Sequence, residues 1–477
     1  MLRPLITVLS LAVLAACALP GSSAGAQPPE PDQAVFRAPL NNGADPFLVV
    51  HDGAYYLMTT RGDRLTINTA RSIAGLPAAE DHDIWIGAED DPGRSTQIWA
   101  PALYRFDSRW YVYYTASDGV DANHRMYVLE SEGDDPLGPY HFKAKIADQG
   151  EYMIHGEPIV VNGQRYFTWS MNGRGHGGGP QQVYIQKMIN PWTTEGPVVA
   201  LPVDAGMCTE VREGPTSIVH DDRLFLTYST CDTGKPDYSL YLISIPLDGD
   251  PMVPDNWTTY PDPILTRDDE AGVYGPGHHS FFKSPDGSQD WIAYHAKNTA
   301  DYTYEWRTTR AQQVTWSDAG LPVIGAPVPL GTDVPLPAGD PGPGPRAIND
   351  TDIGTGQFQV EYSGAWSSGS GCGNQCFRGD DHWSGEADAT ATFRFTGTQL
   401  ALFSVRDVGN GIAAISVDGG PETQHDYYSS PRQGQVMNYR TPKLPPGEHT
   451  VTVRVTGQSN PNSGSTVISI DRAEVWP

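Results

Sequence analysis

The sequence predicts an all-β chain in two units, a five-bladed β-propeller followed by a β-sandwich, and three observations carry that prediction. Gly and Pro together make up about a fifth of the 477 residues, charged residues are 18%, and aromatics are abundant, with 12 Trp, 23 Tyr and 13 Phe. Long helices need the opposite balance, whereas many short strands joined by turns need this one. A strand motif also recurs five times in the first 300 residues. Finally, a Pro-rich stretch separates those repeats from a second run of strand-like segments.

The first element is an export signal. Arg3 gives a minimal basic start, and Leu5 to Ala16 is an apolar run of signal-peptide length, too short to span a bilayer. Two processing routes overlap. Leu14-Ala15-Ala16-Cys17 resembles a bacterial lipobox, which would acylate Cys17, and Ala24-Gly25-Ala26 suits cleavage into a soluble protein. Either route places the protein outside the cytoplasm, secreted or lipid-anchored at the cell surface. Membrane contact would then come through a lipid on Cys17 alone. Residues 1–26 are read as the signal and 27–34 as a Pro-rich linker.

Residues 35–333 carry the repeat. A polar turn leads each time into an aromatic, apolar strand ending in Ser, Thr or His: Tyr56-Leu57-Met58-Thr59-Thr60, Tyr111-Val112-Tyr113-Tyr114-Thr115, Tyr166-Phe167-Thr168-Trp169-Ser170, Phe225-Leu226-Thr227-Tyr228-Ser229 and Trp291-Ile292-Ala293-Tyr294-His295. The strand starts lie 55, 55, 59 and 66 residues apart. Five units of about 60 residues, each a set of hairpins, predict five blades around one axis. Residues 334–346 are a Pro/Gly linker that can form neither helix nor central strand. In residues 347–477, Ala391 to Phe395, Ala413 to Val417, Thr450 to Val455 and Thr466 to Ile470 alternate or run apolar, as a compact antiparallel sandwich requires.

Charge and cysteines narrow the function. A net charge of −26 repels polyanions, so nucleic acid is excluded as a partner while a neutral substrate is not. Cys208, Cys231, Cys372 and Cys376 are an even set in an exported chain, and the pairing 208–231 with 372–376 keeps each bridge within one unit.

The innermost strand of each blade should lie a fixed distance before its repeat. Asp45, Trp99, His155, Glu213 and His278 precede the five repeats by 11, 12, 11, 12 and 13 residues. Two acids, two histidines and a tryptophan are therefore expected to converge on one axial funnel. Two opposed carboxylates are what glycoside hydrolysis with inversion demands, one acid protonating the departing oxygen and one base activating water on the far face of the sugar.

Ala44-Asp45-Pro46, Trp99-Ala100-Pro101, Arg212-Glu213-Gly214-Pro215, and Gly275-Pro276-Gly277-His278-His279-Ser280 followed by Ser284-Pro285-Asp286-Gly287 resemble glycoside hydrolase family 43. That resemblance spans about 300 residues. It implies a five-bladed inverting enzyme with Asp45 as base and Glu213 as acid. It also implies Trp99 in the pocket wall, Arg310 holding substrate, and His278 near the pocket floor, where relatives hold calcium, sodium or water. No cofactor is required; a calcium or sodium ion at the axis would reach His278 through water, since calcium prefers oxygen ligands.

The family's third acid is replaced in Met153-Ile154-His155-Gly156-Glu157-Pro158, so either neutral His155 orients Glu213 or Glu157, two residues on, supplies the carboxylate. The second unit is similar to carbohydrate-binding modules of the galactose-binding-like, jelly-roll type. Trp366, Trp383, Tyr427 and Tyr428 are its aromatic candidates for sugar stacking. The implied activity is an exo-acting α-L-arabinofuranosidase on plant-type or cell-wall polysaccharide. β-Xylosidase and galactofuranosidase are the alternatives within the family, and a glycan-binding propeller without activity is the rival from another class.

Overall fold

The computed structural model describes residues 34–88, 91–172 and 180–477. The export signal, Cys17 and nearly all of the first linker lie outside those residues. Among the described residues, helix is confined to short 3-10 turns, and no helix is long and apolar enough to cross a membrane.

Strands follow one another in five four-stranded antiparallel sheets, each in plain chain order. Sheet 1 holds Phe47–His51, Ala54–Met58, Arg64–Ala70 and Asp81–Ile86; sheet 2 holds Thr96–Phe106, Arg109–Ser117, Arg125–Ser131 and Tyr140–Lys145. Sheet 3 holds Met153–Val161, Gln164–Asn172, Gln181–Asn190 and Thr193–Ala200. Sheet 4 holds Arg212–His220, Arg223–Thr230, Ser239–Pro246 and Thr258–Thr259, and sheet 5 holds Tyr274–Lys283, Asp290–Lys297, Thr308–Trp316 and Pro322–Val323. The hairpins entering the second strands use Asp52-Gly53, Asp107-Ser108 and Asn162-Gly163, both residues of each pair having positive φ, as the twist of a two-residue hairpin requires.

The second strand of each sheet carries the sequence repeat. It is buried on both faces in sheets 2, 4 and 5, from Trp110 to Ser117, Leu224 to Thr230 and Asp290 to Lys297. Double-sided burial explains why the repeat reads as a run of aromatic and apolar residues rather than an alternation. The hydrophobic cores lie between neighbouring sheets. One joins Phe47, Trp110, Tyr113, Phe167 and Trp169, another joins Ile159, Val183, Leu226 and Ile243, and a third joins Leu48, Tyr55, Phe282 and Trp291 across sheets 5 and 1.

The first strands meet in a closed cycle, each touching that of the next sheet, with sheet 5 returning to sheet 1. Side chains at the end of the repeat stitch this cycle together. The backbone N–H of Ala100 donates to Thr60 Oγ1 at 2.8 Å, that of His155 to Thr115 Oγ1 at 3.0 Å, and that of His278 to Ser229 Oγ at 3.0 Å. The N–H of Asp45 donates to His295 Nδ1 at 3.1 Å, which closes the cycle. Ser170 departs from the pattern by donating to Arg212 O at 2.6 Å. In four of the five repeats the polar end thus satisfies a buried backbone donor on the neighbouring sheet. Chain ends reinforce the closure: Val35–Phe36 pairs with Val334–Pro335, so the stretch expected to be pure linker begins as an edge strand, where Pro335 loses no ladder bond.

Beyond residue 346 two larger sheets share one core with a three-stranded sheet of order Ser367–Ser370, Asp380–Ser384, Ile468–Ile470, which contributes Ile468 and Ile470. A four-stranded sheet has the order Arg346–Asn349, Arg472–Trp476, Gln399–Arg406, Gln433–Arg440. A five-stranded sheet has the order Gln359–Ser363, Thr390–Gly397, Gly447–Gln458, Ile412–Val417, Thr423–Asp426. Phe393, Phe395, Val451 and Val453 from the second pack with Leu400, Leu402, Ala473 and Val475 from the first. This unit is anchored on the sheet cycle: Arg440 Nη1 donates to Ala79 O at 2.6 Å, Trp476 Nε1 to Ala74 O at 2.7 Å and Asn298 Nδ2 to Gly434 O at 3.1 Å. Cys208 is bonded to Cys231, and Cys372 to Cys376.

Candidate active site

Near the centre of the cycle each first strand carries a residue of positive φ, Asp45 two residues before the strand of sheet 1, and Ala100, His155, Gly214 and His278 within the strands of sheets 2 to 5. In sheets 2 to 5 the pairing register shifts across this residue, a β-bulge that turns the side chain towards the axis. Register is therefore set by the bulge. Asp45, His155 and His278 share one position, while Trp99 and Glu213 sit one residue earlier, next to Ala100 and Gly214. The five side chains expected to share a register thus occupy two adjacent positions; the uneven counts of 11 and 12 come from that step.

Asp45 and Glu213 face one centre, with His278 between them. His278 Nδ1 is 3.5 Å from Asp45 Oδ1, and His155, Glu213 and His278 each bring an atom within 4.8 Å of the other two. All four side chains are buried, Asp45 being 6% and Glu213 5% exposed. Such a cluster is costly to desolvate unless each group is partnered or neutral.

Their environments push the two carboxyls in opposite directions. Burial alone would raise Asp45, but His278, the Arg307 guanidinium and His295 outweigh it and hold the carboxyl well below the usual range. Since burial also pushes His278 and His295 down towards neutrality, Arg307, 3.4 Å from Oδ1, is the standing positive charge in that set. Thr60 Oγ1 adds a 2.6 Å hydrogen bond to Oδ2. Because Thr60 already accepts the Ala100 N–H, its own proton is directed at Asp45.

Glu213 is raised to about 8, chiefly by burial and further by the charges of Asp45 and Asp232, against a 2.8 Å hydrogen bond from Tyr238 O–H to Oε1. A rise from 4.5 to about 8 corresponds to about 5 kcal/mol in favour of the neutral acid. Tyr238 reaches Glu213 because residue 277 is glycine; a Cβ there would lie 2.4 Å from the Tyr238 ring. At neutral pH one carboxyl is thus ionised and the other protonated, the division of labour of an acid–base pair.

His155 Nδ1 lies 3.5 Å from Glu213 Oε2, and burial holds the imidazole well below its ordinary value, so it is neutral. Glu157 goes elsewhere. Its Oε2 takes the Tyr104 hydroxyl at 2.7 Å, and burial raises it to about 7. The bulge at His155 cancels the two-residue period that would have put both side chains on one face, so Glu157 does not replace the missing carboxylate beside Glu213.

Arg310 also needs correction. It is fully buried, donating to Val328 O and Asn298 Oδ1 at 2.7 Å each, and lies within the ladder of sheet 5. Arg307, three residues earlier and half-buried, is the guanidinium that faces the site. Trp99 is half-buried and stacks on His124 at 4.1 Å, one residue from the strap that links Ala100, Thr60 and Asp45.

Two imidazole nitrogens and a protonated carboxyl do not fit direct ligation of calcium or sodium, which take oxygen shells. Cys372, Cys376 and Asp381 also cluster, but those sulfurs are tied in a disulfide and offer no thiolate.

In the C-terminal unit, Trp383 lines a cavity of about 550 Å³ with Asp381, Asp407, Asn410 and Arg432. Trp366 is partly buried against the core, with its Nε1 donating to Ser363 O at 3.1 Å, and does not line that cavity. Tyr427 is 1% exposed and belongs to the same core. Arg307, Thr60, Tyr238 and His295 were not singled out as site residues from the sequence, although Thr60 and His295 close repeats one and five.

Comparison with known proteins agrees with this geometry. The extracellular exo-α-(1→5)-L-arabinofuranosidase of Streptomyces avermitilis is 34% identical over 349 residues, 69% of this chain and 71% of that protein. α-L-Arabinofuranosidase B of Pyricularia oryzae is 30% identical over 399 residues, 76% of this chain and 81% of that protein. The crystal structure of the α-L-arabinofuranosidase from Lactobacillus brevis superposes with a TM-score of 0.58 at 29% identity, covering 62% of this chain and 98% of that one. Residues 36–322, which contain every residue of the acid–base cluster, match glycosyl hydrolases family 43, and the chain belongs to that family of glycoside hydrolases.

Proposed function

We propose that this protein is an exported, inverting, exo-acting α-L-arabinofuranosidase whose five sheets form a five-bladed β-propeller over residues 35–333. The observation that carries the chemistry is the placing of two buried carboxyls about His278, Asp45 against Arg307 and Thr60 and Glu213 against Tyr238 with no cation in contact among the described residues. Asp45, held ionised by Arg307 and Thr60, takes a proton from water as its oxygen attacks the anomeric carbon. Glu213, held neutral by burial, gives its proton to the glycosidic oxygen as the other C–O bond breaks. One bond forms and one breaks on opposite faces, so the configuration inverts. Neutral His155 stands 3.5 Å from Glu213 without drawing its pKa down, while the hydrogen bond that orients the carboxyl comes from Tyr238. No step calls for a cofactor.

The choice of arabinofuranose, and of export, is supported by the relatives named above, which act on that sugar and of which the Streptomyces protein is extracellular. Residues 347–477 we read as a galactose-binding-like β-sandwich that holds polysaccharide, Trp383 offering the stacking ring in its cavity.

The test is α-1,5-arabinotriose hydrolysis followed by proton NMR. Release of single arabinose units, first seen as the β-anomer, is expected. Asp45→Asn should lose at least about a thousandfold on every substrate, whereas Glu213→Gln should retain far more activity on an aryl glycoside with a good leaving group than on the trisaccharide. The α-anomer appearing first would refute single displacement. Preference for xylosides or galactofuranosides would move the sugar assignment, and binding without turnover would favour the non-catalytic reading.

A further inference from the structure

The loop between the second and third strands of sheet 5 presents two tyrosines to solvent at the edge of the site. Tyr302 is 59% and Tyr304 51% exposed, although each carries a large ring. They are held in place. Their hydroxyls meet at 2.7 Å, the rings stand edge to face at 5.6 Å, and Tyr304 O–H lies 3.0 Å from Asp232 Oδ2. Beneath them Lys297, with no exposed surface, donates its ammonium to the backbone oxygens of Gly234, Asp301 and Thr303. That clamp joins the loop to the neighbouring segment of sheet 4, as does Thr303 N–H donating to Gly234 O at 3.0 Å. Exposed aromatic rings with this many restraints lose little entropy on contact with a ligand.

Their place in the reaction follows from two connections. Arg307 Nε donates to Tyr304 O at 2.9 Å while its Nη1 lies 3.4 Å from Asp45 Oδ1, so one guanidinium separates this loop from the ionised acid. Asp232, which accepts the Tyr304 hydroxyl, follows the strand whose Ser229 pairs with Glu213, and its charge adds to the forces keeping Glu213 protonated. The rings therefore stand at the solvent-facing rim above the buried Asp45–Glu213 cluster, where the part of a substrate that is not held at the centre must lie.

We propose that Tyr302 and Tyr304 form a leaving-group subsite that stacks on the sugar next to the one released, and so selects a neutral pentose chain over a lone glycoside. The inference rests on the assignment of Glu213 as the acid and of arabinofuranosides as substrates. The apolar C–H face of a sugar suits an aromatic ring, and the ring's hydroxyl edge stays wet.

Binding separates this subsite from the activity. In an Asp45→Asn background, calorimetry is run with α-1,5-arabinotriose and with free L-arabinose. Tyr302→Ala and Tyr304→Ala should each weaken arabinotriose binding about tenfold while changing arabinose binding less than about twofold. Tyr302→Phe, which keeps the ring, should stay close to the parent. Thermal midpoints should be unchanged, because more than half of each ring is exposed. Equal losses for both ligands, no loss for either, or no arabinotriose binding in the parent would overturn the subsite. Turnover of arabinotriose by the unmodified enzyme, recorded alongside, decides the arabinofuranosidase reading on its own.

Discussion

Thr60 offers the sharpest test of how the base is kept ionised. Its hydroxyl accepts the Ala100 N–H at 2.8 Å and donates to Asp45 Oδ2 at 2.6 Å, and because an ionised carboxylate can only accept, the Thr60 proton is committed to it. Thr60→Val keeps the shape and removes both bonds. A hydrogen bond to a charged acceptor contributes about 1.5–3 kcal/mol, and about 1.4 kcal/mol corresponds to one pKa unit. The acidic limb of the kcat/KM profile should therefore move upward by about one to two pH units. The sign is fixed: losing a donor to the carboxylate disfavours its ionised form, so activity is lost earlier as pH falls. The assay is hydrolysis of 4-nitrophenyl α-L-arabinofuranoside from pH 3 to 9, with aliquots quenched in base. Thr60→Ser should restore the limb, since it returns both bonds. If the limb stays in place while kcat falls, or if Ser fails where Val fails, Thr60 acts by holding sheets 1 and 2 together and the electrostatic argument is wrong.

Two further outcomes follow from other contacts. Tyr238→Phe removes a hydrogen bond that favours ionised Glu213, so the alkaline limb, expected near pH 8, should move higher; chromatographic assay of arabinose released from arabinotriose between pH 6 and 10 measures it. Trp383→Ala should reduce retention of the full-length protein in gels containing insoluble-polysaccharide extract several-fold, while turnover of arabinotriose stays within about twofold of the parent.

Much of this architecture was readable before any coordinates, and the reasons are physical. Strands such as Trp110 to Thr115 are buried on both faces, which forces an unusual density of aromatic residues that recurs at each sheet. Asp45, Glu213, His155 and His278 could be gathered from distant positions because each precedes such a strand by nearly the same count. The one-residue uncertainty in that count was not resolvable, because it depends on a positive-φ bulge, and Ala100 at that position carries no signal of its own. The same bulge defeated the two-residue rule for Glu157. Arg310 entered through the family resemblance alone, and the sequence does not mark where the ladder of sheet 5 begins, which is what leaves Arg307 in the loop facing the site. Thr60 looked like one more repeat ending; its second bond, to Asp45, exists only through the fold.

The hydrogen bond from Asp45 N–H to His295 joins the start of the cycle to its end, and Val35–Phe36 pairs with Val334–Pro335 at the same junction. A chain that has emerged only as far as sheet 4 already owns its proton donor and the tyrosine that tunes it, yet lacks both imidazoles and the guanidinium that surround the base. On the proposed roles, a truncated copy without the final sheet would therefore lack the groups that set the ionisation of Asp45, however well its earlier sheets had folded.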